Sequence, residues 1–150
     1  MIIYWEIITL IVGFFLGALL YSFYKFRSGG IITIPLLAIY TIKFPVMLPF
    51  LLFASFISFI SLQLIFTKFI IYGRRLLYIS LIIGMVLTMI SINLVNADAG
   101  WFALLLPGIM GYNSHREKHE TKKHFFLSAT SNTIYFVLIL SVAFAAIYLI

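Results

Sequence analysis

A 150-residue chain that is 64% hydrophobic and only 9% charged, with a mean hydropathy of +1.18, cannot cover a water-facing surface, because soluble domains carry about 25% charged residues, and a bilayer removes that requirement. There is no cysteine, which excludes disulfides, thiolate catalysis and cysteine-ligated metal. The net charge of +6 rests on ten Lys and Arg set between apolar runs, so membrane topology explains it before nucleic-acid binding does.

The first apolar run, Ile2–Tyr24, has no positive n-region and ends in bulky residues. It reads as a retained membrane helix, not a cleaved leader. Glu6, one turn inside its start, reads as a snorkelling interfacial carboxylate. The second run, Gly29–Ile42, is short, opens at Gly29-Gly30 and contains Pro35. The third, Pro45–Phe66, is long again. Tyr72-Gly73-Arg74-Arg75 opens the fourth, Leu76–Leu94. The fifth, Gly100–Tyr112, repeats the short pattern with Pro107-Gly108 inside it.

Beyond Asn113 comes His115-Arg116-Glu117-Lys118-His119. Its i,i+4 histidine pair lacks the zinc-protease pattern, and neighbouring cations oppose Zn²⁺, so it reads as a solvated basic loop. The sixth run, Phe125–Ile150, starts with Ser128, Thr130, Ser131, Asn132 and Thr133. Those polar groups fit interhelical hydrogen bonding, with the lining of a wet passage as the alternative.

Four runs are long enough to span about 30 Å of hydrocarbon at 1.5 Å per residue. The short pair could cross or turn back, and charge placement separates the two. If all six cross with the N-terminus outside, the inner loops hold Lys25, Arg27, Lys68, Arg74, Arg75, Arg116, Lys118, Lys122 and Lys123, and only Lys43 lies outside. Turning back would put Lys68, Arg74 and Arg75 opposite Lys25 and Arg27. The positive-inside rule therefore predicts six crossings, both termini outside and basic loops in the cytoplasm. Tyr4, Trp5, Trp101 and Tyr148 then form an outer aromatic belt, and Tyr24, Tyr72, Tyr78 and Tyr112 an inner one. A 13-residue helix rises only about 20 Å, so the short segments belong at the centre, ringed by the long helices.

The fold class expected is an all-α polytopic membrane protein, one transmembrane domain over 1–150, with four long and two short Gly/Pro-broken helices. Its halves, about 1–70 and 71–150, resemble each other. Residues 8–17 align with 79–88, bringing Gly13 onto Gly84; the same offset carries Gly29 onto Gly100, and Pro35 meets Pro107 within one residue. Ser55 and Ser58 match Thr130 and Thr133 after a small insertion. Leu/Ile/Gly-rich helices also resemble one another by composition alone. If the repeat is real, three crossings per unit make it a 3+3 inverted repeat, with paired broken segments near the midplane. Gly13/Gly17 and Gly84/Thr88 are small-residue pairs one turn apart that admit a close helix neighbour.

No acidic residue lies mid-span; the four are Glu6, Asp98, Glu117 and Glu120. A self-sufficient proton-coupled pump usually shows a buried carboxylate or histidine there. Arg74 and Arg75 serve as topology anchors, and their guanidinium groups also suit carboxylates or phosphates.

The residues Tyr72-Gly73-Arg74-Arg75 with Gly84 beyond, and Leu106-Pro107-Gly108-Ile109 leading to Asn113, resemble the membrane subunit of poly-γ-glutamate synthase, the PgsC/CapC capsule-biosynthesis family. The likeness covers essentially the whole chain. It departs from the family pattern at Leu36, where a glycine usually follows the proline, and in the His- and Lys-rich stretch after Asn113. The resemblance implies a non-catalytic subunit of the bacterial cell membrane. Its implied partners are a cytoplasmic Mur-ligase-like amide ligase, a membrane-anchored extracytoplasmic subunit and an anionic polyglutamate chain, with homo-oligomers also in prospect. Arg74, Arg75, Tyr72, Asn113 and Arg116 become candidate contacts for polymer or ligase. Gly29, Gly30, Pro35, Gly100, Pro107 and Gly108 become candidates for shaping an export path. No cofactor is expected in this chain, since ATP and Mg²⁺ belong to the ligase and no G-x-x-x-x-G-K-[ST] is present. Two other readings stand beside it: an independent small transporter or channel with an unrelated substrate, and a membrane enzyme using His115 or His119.

Overall fold

A computed structural model describes residues 2–24, 31–69, 71, 73–95, 101–120 and 125–149. Among these the chain forms six α-helices and no strand: α1 (Ile2–Tyr24), α2 (Thr33–Lys43), α3 (Met47–Lys68), α4 (Arg74–Val95), α5 (Trp101–Glu120) and α6 (Phe125–Leu149). α1, α3, α4 and α6 are each long and apolar enough to cross a membrane. Their outer faces carry large apolar side chains such as Phe15 (67% exposed) and Leu94 (71% exposed). Such continuous apolar exposure is untenable in water and expected against lipid.

Helix directions follow from which residues meet. On α1, Trp5 packs with Ile39, Ala143 and Ala146, and Gly17 meets Ile31 and Tyr135. Numbers that rise along α1 therefore fall along α2 and α6. On α4, Ser80 bonds Gly108, while Ser58 of α3 reaches both Ser80 and Gly111, and Phe66 of α3 meets His115 of α5. So α3 and α5 run together, with α4 against them. The turn Phe44–Val46 folds α3 back along α2, closed by Met47 N–H to Phe44 C=O at 2.9 Å. Successive helices thus alternate in direction, as six crossings require.

The helices gather into two three-helix units. In one, α1, α2 and α6 touch one another; in the other, α3, α4 and α5 do. The units meet where α2 packs on α5, α2 on α3, and α5 on α6. Exchanging α1 with α4, α2 with α5 and α3 with α6 reproduces this whole set of contacts, the arrangement expected of an inverted 3+3 fold. The spatial units are therefore not the sequence halves: each half lends its third helix to the other. The equivalence of Ser58 with Thr133 does not carry over to environment, since Ser58 is buried and Thr133 exposed.

α2 and α5, which carry Pro35 and Pro107, sit at the centre. α2 packs against α1, α3, α5 and α6, and α5 against α2, α3, α4 and α6. α2 is short: 11 residues, rising about 17 Å. α5 is not. It runs 20 residues, about 30 Å, continuing through the stretch expected to be a solvated loop. Hydropathy falls after Tyr112, but no helix breaker follows, and the polar extension keeps packing on α3. His115 (2% exposed) and Glu117 are buried there. Trp5 also departs from expectation: it is buried in the α1–α2–α6 core, not in a belt, whereas Tyr4, Tyr78 and Tyr148 are exposed.

Cysteines placed singly at Lys43 and Lys68 in this cysteine-free chain should be labelled from opposite faces of sealed vesicles. Labelling of both from one face would contradict the alternation of helix directions.

Candidate functional site

Two regions bring together residues with chemistry: a midspan lattice of small and hydroxyl side chains, and the cationic end of the bundle. The lattice begins with glycine. A Cβ on Gly84 would overlap the backbone of Gly108, and one on Gly108 would lie 2.7 Å from the Ser80 carbonyl oxygen. α4 and α5 therefore touch backbone to backbone, the close approach that small residues permit in lipid. Pro107 in α5 has no N–H and removes one helical hydrogen bond. Beside it, the Ser80 hydroxyl donates to the Gly108 carbonyl at 2.6 Å. Its one proton being so used, the Ser58 hydroxyl donates to Ser80 at 3.2 Å. A Cβ on Gly111 would lie 2.8 Å from Ser58, so the third helix closes on the same point.

The other unit solves the same problem with different residues. A Cβ on Gly13 would overlap Pro35, and the buried Tyr135 hydroxyl donates to the Gly13 carbonyl. Gly13 with Pro35, and Gly84 with Pro107-Gly108, are the pairs matched in the sequence repeat. At the end of this unit Glu6 Oε1 pairs with Lys43 Nζ at 2.6 Å, so Glu6 ties α1 to α2 as well as reaching the interface.

Between the two units lies a cavity of about 410 Å³. Leu37 of α2, Leu52 of α3, Met110 and Ser114 of α5, and Asn132 and Phe136 of α6 contribute to its wall. Among the described residues no charged side chain lines it. Pro35, Pro107 and Gly108, expected to shape a path, lie instead in the helix contacts on either side; Met110 and Ser114, further along α5, face the space. Asn132, in the polar start of α6, lines this space, and its Oδ1 is buried without a hydrogen-bond partner.

The cationic end is set by helix termini. Arg74 and Arg75 are exposed in the first turn of α4, launched from Gly73 at φ +66°, a left-handed conformation that favours glycine. Lys68 ends α3 and is exposed, as is Arg116 near the end of α5. The helix directions put all four at one end of the bundle. Lys118 reaches the Phe59 ring at 5.5 Å. Asn113 is half-buried and engaged with neighbours. Tyr72, Gly29, Gly30 and Gly100 lie outside the described residues. Among the described residues no group of three His, Asp or Glu could hold a metal. Buried His115, its ring 5.2 Å from that of Phe66, is placed as a packing residue.

The sequence left Ser58, Ser80 and Tyr135 unremarked as linked groups. Their only signal is a hydroxyl at the spacing of a buried helix face. Replacing Ser80 with Ala should lower stability to unfolding in detergent by about 1 kcal/mol, within the range of interhelical hydrogen bonds in membranes. Gly84→Leu should prevent the second unit from assembling, read as loss of folded protein in the membrane.

No curated protein and no solved structure matches this chain. A family model described as capsule biosynthesis CapC matches residues 12–122. That span takes in most of α1, all of α2 to α5, both glycine–proline contacts and the whole Tyr72-Gly73-Arg74-Arg75 sequence, and the chain belongs to the CapC family of capsule-biosynthesis membrane proteins.

Proposed function

We propose that this chain is the membrane subunit of a complex that makes and exports an anionic γ-linked glutamate polymer. It sits in the bacterial cell membrane with its cationic end in the cytoplasm and both termini outside. There it docks an ATP-dependent ligase, which brings ATP and Mg²⁺, and cooperates with an extracytoplasmic subunit. Membership in a capsule-biosynthesis family supports a role in polymer assembly. The observation that carries the finer reading is charge segregation. Lys68, Arg74 and Arg75 are exposed at one end, while Lys43 at the other is paired with Glu6.

Arg74 and Arg75 stand where the helix macrodipole is also positive. For stability alone that is a poor place for two arginines, and no acidic residue offsets them in the first turn of α4. For an incoming polycarboxylate the two fields add, and guanidinium groups bind carboxylates in bidentate fashion. Tyr72 and Asn113 flank this surface in the sequence and belong to the same proposed contact.

The cavity between the units does not serve as the conduit in this reading. A carboxylate moved into an uncharged membrane cavity pays a heavy desolvation cost. A polymer path formed between copies, or with the partner subunits, avoids it. The exchange symmetry of the two units favours a second reading, an independent inverted-repeat transporter; transport by the purified chain alone in liposomes would establish that reading over the first.

Reversing both charges (Arg74→Glu with Arg75→Glu) should reduce surface polymer by an order of magnitude or more, the effect of losing about 1.4 kcal/mol or more of binding, with the amount of protein in the membrane unchanged. Ligase recruitment to membranes carrying the variant should fall and should weaken with salt in the wild type. Normal polymer and recruitment in the double variant would refute the cationic-end assignment.

A further inference from the structure

We infer that the cavity between the two three-helix units is a binding site for the hydrocarbon tail of a bilayer lipid, entered sideways from the membrane. The walls are Leu37, Leu52, Met110 and Phe136, with Ser114 and Asn132 gathered at one end. The lining reaches surface that faces lipid from two sides: Leu52 of α3 is 44% exposed and Val137 of α6 56%.

Volume and chemistry select the occupant. About 410 Å³ holds on the order of a dozen water-sized groups at roughly 30 Å³ each, which matches one lipid tail. A helix from a second copy, about 10 Å across with its side chains, would fill that volume with roughly one 5.4 Å turn and find no room for more. Water needs two to four polar partners per molecule, and the wall offers them at one end only. A charged solute would find no counter-charge among the lining residues. An empty space would leave Leu37, Met110 and Phe136 without dispersion contacts on one side.

The polar end fits the place where a lipid's tail joins its head. The Ser114 hydroxyl can donate to an ester carbonyl. The Asn132 amide, also part of the lining, supplies a second polar group to the same region. The site also explains why two tightly knitted units meet through Leu, Met and Phe side chains: a tail acts as a removable part of their shared core. The inference is independent of the polymer reading.

The test uses the full chain in vesicles of phosphatidylethanolamine and phosphatidylglycerol, with a fraction of the phosphatidylglycerol carrying a diazirine on one acyl chain. Illumination followed by peptide mass spectrometry should place adducts on Met110 and Phe136 as well as on bilayer-facing Phe53. Ser114→Leu, which fills the cavity from its polar end, should cut the Met110 and Phe136 adducts about tenfold, the change that about 1.4 kcal/mol of lost contact produces, while Phe53 labelling stays constant. Met110→Trp, read at Phe136, repeats the test if Ser114→Leu does not fold. Adducts at Phe136 no more frequent than at fully buried Ile139 would overturn the inference. So would labelling of the cavity by a water-soluble diazirine alone, or cavity adducts unaffected by both filling variants.

Discussion

The architecture depends on one contact, the backbone of Gly84 lying against the backbone of Gly108 with the Ser80 hydroxyl bonded to the Gly108 carbonyl. Lipid gives helices no hydrophobic reason to associate, so close packing and a few satisfied polar groups must do it. A proline at the next position weakens α5 as a helix and would be hard to tolerate against lipid. Buried against α4 and stitched by Ser58 and Ser80, the same segment becomes a fixed point. The first unit reaches an equivalent contact through Gly13, Pro35 and Tyr135. The hydroxyl donor there comes from the third helix, where in the second unit it comes from the first.

From these two fixed points the rest of the molecule follows. Each unit is tight at its centre, so variation in packing is displaced to the seam between them. There α2 and α5 lie side by side, flanked by α3 and α6. The seam is filled by Leu37, Met47, Leu51, Met110 and Phe136, and it leaves the uncharged cavity. Charge is kept away from this interior. The exposed cations stand at helix ends, and Glu6 spends its charge on Lys43. The membrane body and the exposed cations are thereby separate parts of the molecule.

Much of this was legible in the residues. Hydropathy located all six helices, and placed α1 and α2 to within a few residues. The spacing of Gly13 with Pro35 and of Gly84 with Pro107, recurring at an offset of 71 or 72 residues, pointed to two related contacts. The sequence Tyr72-Gly73-Arg74-Arg75 carried the family likeness. The polar end of α5 was misread, because hydropathy reports what faces lipid, whereas a helix stops only where its backbone is broken or capped. His115 and Glu117 lie past the apolar run but still beneath neighbouring helices, and no one-dimensional property marks that.

The sequence alone determined that this chain has the composition of a membrane protein, that its Lys and Arg sit between apolar runs, and that two short apolar runs carry glycine and proline, because these are properties of composition and of position along the chain. Only the tertiary structure decided that α3 joins α4 and α5 while α6 joins α1 and α2, that Ser58 bonds the same Ser80 hydroxyl that reaches the Gly108 carbonyl, and that Asn132 lines a cavity. Those facts depend on which helix faces meet, and apolar helices of similar composition offer many faces of nearly equal hydropathy. The choice among them is made by a hydroxyl, a missing Cβ and the geometry of close approach.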